Sequence, residues 1–171
     1  MHRIIASLIL ASALFACASA QNKYKIADDL AAMIDTCQLV IKYSYSDLAG
    51  TDLGSGTANV QGNKYMVTEG HSVYISNGVT RWTLINDSRE IYIENGGGSD
   101  DIFGNLRNLV SKVENLSFDG KNISFDLNFP GFSSKIRCKA VLDKLPFNPD
   151  AEFAVRDGVL QQPGWVVTDL R

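Results

Sequence analysis

Histidine is nearly absent from this chain, with only His2 and His71, and cysteine occurs three times, at positions 17, 37 and 138. A zinc cluster with ordinary ligand spacing needs more of both, and no cysteine stands in a CxxC pair, so metal-cluster and dithiol redox classes fall away. A basic excess is missing too. Sixteen Lys and Arg face nineteen Asp and Glu for a net charge of −3, which argues against a nucleic-acid binder. Beyond the first twenty residues no apolar run approaches the ~20 residues that span a bilayer. There is no internal repeat and no low-complexity tract. What remains is 171 residues, 45% hydrophobic and 20% charged, enough for one globular domain with a sizeable core.

The first twenty residues read as an export signal. Met1-His2-Arg3 supplies a positive start, Ile4 to Ala16 a short apolar core, and Ala18-Ser19-Ala20 an A-x-A cleavage site. Cleavage after Ala20 leaves residues 21–171 as a single domain outside the cytoplasm and, by removing Arg3, takes the net charge from −3 to −4. A rival reading stands beside it: Leu14-Phe15-Ala16-Cys17 resembles a lipobox whose Cys17 would carry a lipid anchor. Cys37 and Cys138 stay in the mature chain, either as two buried thiols or as a disulfide, and spacing alone does not choose between them.

Hydropathy patterning places one helix, a run of strands, a second helix and more strands. Ile26, Leu30, Met33, Ile34 and Cys37 recur at helical spacing, which predicts an amphipathic helix over 26–37 with Asp28 and Asp29 in its first turn. From Gln38 the period becomes two: Leu39, Ile41, Tyr43 and Tyr45, then Ala58 and Val60, Tyr65 and Val67, Val73 and Ile75, Trp82 and Leu84, Ile91 and Ile93. Breaks such as Glu69-Gly70 and Asn77-Gly78 separate them, the latter a strong hairpin signal, so an antiparallel meander is expected. Ile102, Phe103, Leu106, Leu109, Val110 and Val113 predict a second helix over roughly 100–113 behind Asn95-Gly96-Gly97-Gly98. Strands resume at Leu116 and Phe118, at Ile123, Phe125, Leu127 and Phe129, and at Ile136, Cys138, Ala140 and Leu142, with short terminal strands at Phe153-Val155 and Trp165-Val167. The fold class is mainly β with a helical lid. One sheet face is apolar, and two helices are too few to cover it.

No catalytic constellation emerges. Glu69, His71 and Ser72 are too close along one strand and turn to converge as a triad, because side chains alternate faces. His71 reads as an exposed turn residue, the aspartate pairs 28/29 and 100/101 as helix N-terminal charges, and the glycine run at 96–98 as a linker without the Lys-Ser/Thr of a phosphate loop. A non-enzymatic protein without a cofactor is expected.

The order of the pieces resembles the LolA-like family of periplasmic lipoprotein carriers. The carrying motifs are the stretch Gly56-Thr57-Ala58-Asn59-Val60-Gln61-Gly62-Asn63-Lys64-Tyr65, the hairpin Ser76-Asn77-Gly78-Val79-Thr80-Arg81-Trp82-Thr83-Leu84-Ile85-Asn86, and the end Pro163-Gly164-Trp165-Val166-Val167-Thr168-Asp169-Leu170-Arg171. The terminal Asp-Leu-Arg is similar to the Bacteroidetes branch. The resemblance implies an incomplete antiparallel β-barrel whose concave apolar face is covered by two or three helices and holds lipoprotein acyl chains. It also implies a monomer that receives its cargo from an inner-membrane lipoprotein-releasing transporter and passes it to an outer-membrane acceptor. The alternative is an envelope sensor or interaction module of the same fold. The chain departs from enterobacterial members in having no arginine within Val60-Gln61-Gly62-Asn63 and in a short 113–160 region, which leaves open a smaller cavity or a job other than lipoprotein carriage.

On that basis the expected cavity and lid residues are Ile26, Leu30, Met33 and Ile34 of the first helix, Ile102, Phe103 and Leu106 of the second, and one apolar parity of each strand. The strand residues are Leu39, Ile41, Tyr43, Tyr65, Val67, Trp82, Leu84, Ile91, Ile93, Ile123, Phe125 and Leu127, all expected to point to the concave side. In the strand over 79–85, Val79 and Ile85 compete with Trp82 and Leu84 for that face.

Overall fold

A computed structural model describes residues 22–97, 106–128 and 135–171. Helix α1 runs over 22–36 and passes without a loop into β1 (Cys37–Asp47). Then follow β2 (Asp52–Gln61), β3 (Lys64–Glu69), β4 (Ser72–Ser76), β5 (Thr80–Ile85) and β6 (Glu90–Asn95). Helix α2 (Leu106–Lys112) leads into β7 (Val113–Phe118), β8 (Asn122–Leu127) and β9 (Ile136–Pro146), and the chain ends with α3 (Asp157–Leu160) and β10 (Val166–Asp169). The ten strands form one open sheet in the order β10-β6-β5-β4-β3-β2-β1-β9-β8-β7.

Strands β1 to β6 form the meander that the alternation predicts, each paired antiparallel with the next. The Asn77-Gly78 hairpin joins β4 to β5. Only Gly78 takes a positive φ there, at 87°. Asn77 works through its side chain instead, Oδ1 accepting from the amides of Val79 and Thr80 at 2.9 and 2.8 Å. Two expectations about the C-terminal part are corrected. β10 pairs parallel with β6, so the sheet is not wholly antiparallel. Phe153–Val155 is not a strand: Phe153 and Val155 are buried against the sheet rather than hydrogen-bonded into it. The period-two signal there reports packing on a face, which imitates strand alternation.

Helix α1 is already formed at residue 22, four residues before the predicted position, so Asp28 and Asp29 do not lie in its first turn. Their partners are basic side chains instead. Asp28 takes a two-pronged bond from Arg107 of α2, at 2.8 and 2.7 Å, and Asp29 pairs with Lys25 at 2.8 Å. The Arg107 guanidinium holds the Asp28 carboxyl below its usual range.

Register fixes which face each strand presents. Leu39 lies opposite Val60, Val60 opposite Tyr65, Tyr65 opposite Ser76, and Ser76 opposite Arg81. Arg81 therefore shares the face of Leu39, and Trp82, one residue on, points the other way. The first core sits on the Leu39 face: Ile26, Leu30 and Ile34 of α1 pack on Leu39, Ala58, Val60, Tyr65 and Leu142. A smaller cluster of Ala27, Val110 and Val113 continues it beneath α2, with Phe125 and Leu127 against it. The second core is on the opposite face, where Ile75, Trp82, Ile91 and Ile93 pack under Phe153 and Val155 of the segment that connects β9 to β10. The Gln61 side chain clamps that segment, its Nε2 donating to the Asn148 carbonyl at 2.8 Å and its Oε1 accepting the Asn148 amide at 2.9 Å.

One buried carboxylate ties the sheet edge together. Asp126 of β8 accepts from Arg137 of β9 at 2.8 and 3.1 Å and from Asn115 of β7 at 2.8 Å. The Arg137 bonds, then the Asn115 bond, hold its carboxyl below the usual range. A depressed folded value means stability that is present above the unfolded pKa of about 3.9 and lost as pH falls through the folded one. The stability difference between the wild type and Asp126→Asn, read from urea midpoints, is therefore expected to be full at pH 5 and to shrink steadily below pH 4. A difference that stays constant from pH 5 to pH 2 would contradict this role.

Candidate functional site: the sheet face beneath α1

Helix α1 is held on its sheet face by the apolar stripe of Ile26, Leu30 and Ile34 and by one backbone bond, from the Gly62 amide to the Ile34 carbonyl at 2.8 Å. Lys23 adds a bond to the Val113 carbonyl. Around the buried centre lies a rim of half-buried apolar side chains: Met33 on α1, Ile41 on β1, Val67 on β3, Leu106 on α2, Leu116 and Phe118 on β7, Ile123 on β8 and Ala140 on β9. The site is thus an apolar floor, closed by α1 at its centre and open to water along its rim.

At one end the floor turns polar. Tyr43 and Tyr45 follow Ile41 along the same face of β1, opposite Gly56 and Gly54 of β2. The missing side chains let both rings lie across β2. A Cβ on Gly54 would meet the Tyr45 hydroxyl at 2.5 Å, and one on Gly56 would meet the Tyr43 hydroxyl and, at 2.7 Å, the Thr68 carbonyl. Both hydroxyls reach Glu69 of β3, Tyr43 donating to Oε2 and Tyr45 to Oε1, each at 2.6 Å. Burial, and then the Glu69 bond, push the Tyr43 hydroxyl far above its usual pKa. The Glu69 bond first, and then burial, push Tyr45 up to about 12. Both phenols are therefore neutral donors at physiological pH. A side chain at position 56 collides with backbone, which cannot swing aside, so Gly56→Ala is expected to lower stability by about 1–3 kcal/mol through overpacking. Denaturant unfolding checks it, and an unchanged midpoint would mean that the Thr68 carbonyl does not approach Gly56 this closely in solution.

The structure separates the expected site residues into two groups. Ile26, Leu30, Ile34, Leu39 and Tyr65 are buried in the first core, and Met33, Ile41, Val67, Leu106 and Ile123 pack at its rim. Phe125 and Leu127 lie against the cluster beneath α2, and Tyr43 shares the face through its register with Gly56. Trp82, Leu84, Ile91 and Ile93 are not in this site: they face the opposite side and belong to the second core. The turn at Gly70-His71 sets Glu69 opposite Ser72, so Ile75 falls opposite Met66 and the apolar parity changes sides at this hairpin. Ile85 is on the α1 face, and Val79 is exposed. Ile102 and Phe103 lie outside the described residues.

Sequence reasoning missed Glu69 as a partner of the tyrosines. The available signal was the pairing of Tyr43 and Tyr45 with the glycines of Gly54-Ser55-Gly56 on the neighbouring strand. His71 is exposed and 3.2 Å from Asp87. Cys37 and Cys138 are free thiols. Cys37 of β1 lies opposite Pro146 of β9, and Cys138 of β9 lies opposite Tyr45 of β1, so the two are about eight residues or ~27 Å apart along the strands, well beyond disulfide reach. Two grooves of about 550 Å³ each are lined by described residues. One lies over β1, β9 and β8, the other between the start of β3 and residues 151–157, and neither lies between α1 and the sheet. Among the described residues no helix is long and apolar enough to cross a membrane. No protein-family model matches this chain, and no curated protein matches it either.

Proposed function

We propose that the protein is a non-enzymatic carrier that shields an acyl chain of a lipoprotein or lipid against the α1 face of an incomplete barrel. In this reading it works in the periplasm, between an inner-membrane lipoprotein-releasing transporter and an outer-membrane acceptor. The observation that supports it is the half-buried apolar rim on the α1 face of a sheet that does not close. Each methylene fully buried from water is worth about 0.8 kcal/mol, so shielding even part of an acyl chain against this face would favour its retention. The polar link between the two helices is weak: the Arg107–Asp28 pair that joins α2 to α1 is exposed, and exposed pairs contribute little. Met33 sits at the rim with an unbranched, adaptable side chain suited to variable cargo.

Lipid extraction of the protein purified from the periplasm, followed by mass spectrometry, tests the reading, and an acyl-bearing molecule is the expected finding. Met33→Asp is expected to keep the far-ultraviolet circular dichroism of the wild type while losing uptake of a fluorescent fatty acid. If nothing apolar co-purifies and the wild type takes up no fatty acid, the carrier reading is lost. One observation favours the second reading, an envelope sensor or interaction module. Ile26, Leu30 and Ile34 are themselves buried against Leu39 and Val60, the packing of a fixed helix. That reading predicts that α1 stays closed in the presence of lipid.

A further inference from the structure

The groove over β1, β9 and β8 opens on the face opposite α1, and its polar lining is a cross-strand row. Ser44 of β1 lies opposite Lys139 of β9, Lys139 opposite Ser124 of β8, and Ser124 opposite Ser117 of β7. Lys42 sits in the next row, opposite Val141, which is opposite Asn122. Directly opposed side chains are about 4.5–5.5 Å apart, so the four-residue row is a continuous line of donors roughly 14 Å long. Among the described residues, none of the side chains of Ser44, Lys139, Ser124, Ser117 and Lys42 has a hydrogen-bond or ion-pair partner. The neighbouring charges are already matched: Arg137 with Asp126, Lys121 with Asp143, and Lys135 with Glu114.

The one carboxylate that lines the groove, Asp119, is occupied. Its Oδ1 accepts the amides of Lys121 and Asn122 at 2.9 and 2.6 Å, and its Oδ2 accepts the Asn122 side-chain amide at 2.9 Å. Among the described residues, two ammonium groups and three hydroxyls are thus left free to donate to something that comes from solution, on a chain whose overall charge is negative.

We infer that this groove binds a tetrahedral oxyanion of the phosphate class. Hydroxyl and ammonium donors spaced along one row match a group with several acceptor oxygens, and charge-assisted bonds of this kind are about twice as strong as neutral ones. The groove, about 550 Å³, is larger than one phosphate, and Val141, 39% exposed beside Lys42, offers an apolar surface for whatever carries it. The same chemistry belongs to a lipid headgroup and to a soluble phosphate ester. The inference rests on the face opposite α1, so it stands or falls independently of the carrier reading.

Two probes separate the sources. Inorganic phosphate is titrated into the isotope-labelled protein at constant ionic strength while backbone amide shifts are followed, and vesicles of phosphatidylglycerol are compared with phosphatidylcholine in co-sedimentation. Saturating shifts confined to the amides around Ser44, Lys139, Ser124 and Ser117 are expected, at least tenfold weaker in the Lys42→Ala/Lys139→Ala variant and unchanged in Lys144→Ala. Co-sedimentation with phosphatidylglycerol alone, lost in the same double variant, assigns the headgroup. Phosphate saturation without it assigns a soluble ester. Both replaced lysines are exposed, so circular dichroism should show an intact fold. Shifts that spread over the surface without saturating, or binding of either probe that survives loss of both lysines, overturn the inference, as does binding of neither probe.

Discussion

Truncating Leu39 to alanine is expected to lower the stability by about 3–5 kcal/mol, the range for a large aliphatic side chain removed from a packed core. Leu39 has no exposed surface, and its neighbours Ile34, Val60, Tyr65 and Leu142 belong to the same buried cluster. They come from α1, two strands of the meander and β9, so no single element can collapse into the space left. With a urea slope of about 2 kcal/mol/M the midpoint should fall by roughly 1.5–2.5 M. If Leu39→Ala does not accumulate, Leu39→Met, which conserves volume, should cost less than about 1.5 kcal/mol and show that the site tolerates shape better than loss. The size of the effect also bears on the proposed function. A cost below about 1 kcal/mol would mean that α1 does not press on Leu39 in solution and that room for a ligand already exists there. A full cost means that cargo must lift α1, or lie along the open rim of Met33, Ile41, Val67 and Ile123.

The strands were legible because their two faces differ. Along β1, Leu39, Ile41, Tyr43 and Tyr45 alternate with Lys42, Ser44 and Ser46, and the same alternation located β3 to β6 and β9. Which side of the sheet an apolar parity faces was not legible, because that depends on register, and register depends on turn geometry. Within β3 and β5 the parities Tyr65/Val67 and Trp82/Leu84 look equivalent, yet the two-residue turn at Gly70-His71 places them on opposite faces. The residues before Ile26 carry no apolar repeat, so the first turn of α1 left no signal. The segment that covers the second core is irregular, and its buried Phe153 and Val155 were visible only as an isolated alternation.

The change of face has a measurable consequence. Trp82 is 9% exposed and packs with Ile75, Ile91 and Ile93 beneath Phe153 and Val155, so Trp82→Ala is expected to cost about 3–5 kcal/mol. It should do so without disturbing the core under α1. Trp82 lies on β5 and Leu39 on β1, four strand spacings or ~19 Å apart and on opposite faces. Changes that far apart with no shared partner add to within about 0.5 kcal/mol. Because two large truncations together could unfold the chain, the additivity is better read from Leu39→Ala combined with Ile91→Val, the latter worth about 0.5–1.5 kcal/mol. The two tryptophans, Trp82 and Trp165, both belong to the second core, so their emission in the folded state reports on that core alone. Leu39→Ala should lower the unfolding midpoint while leaving the native emission maximum where it is in the wild type, and Trp82→Ala should expose Trp165 and shift its emission to the red. A native emission shift in Leu39→Ala, or a coupling comparable to the Ile91→Val effect itself, would mean that the two faces share one core. In that case the expected placement of Trp82, Leu84, Ile91 and Ile93 beneath α1 would have to be restored.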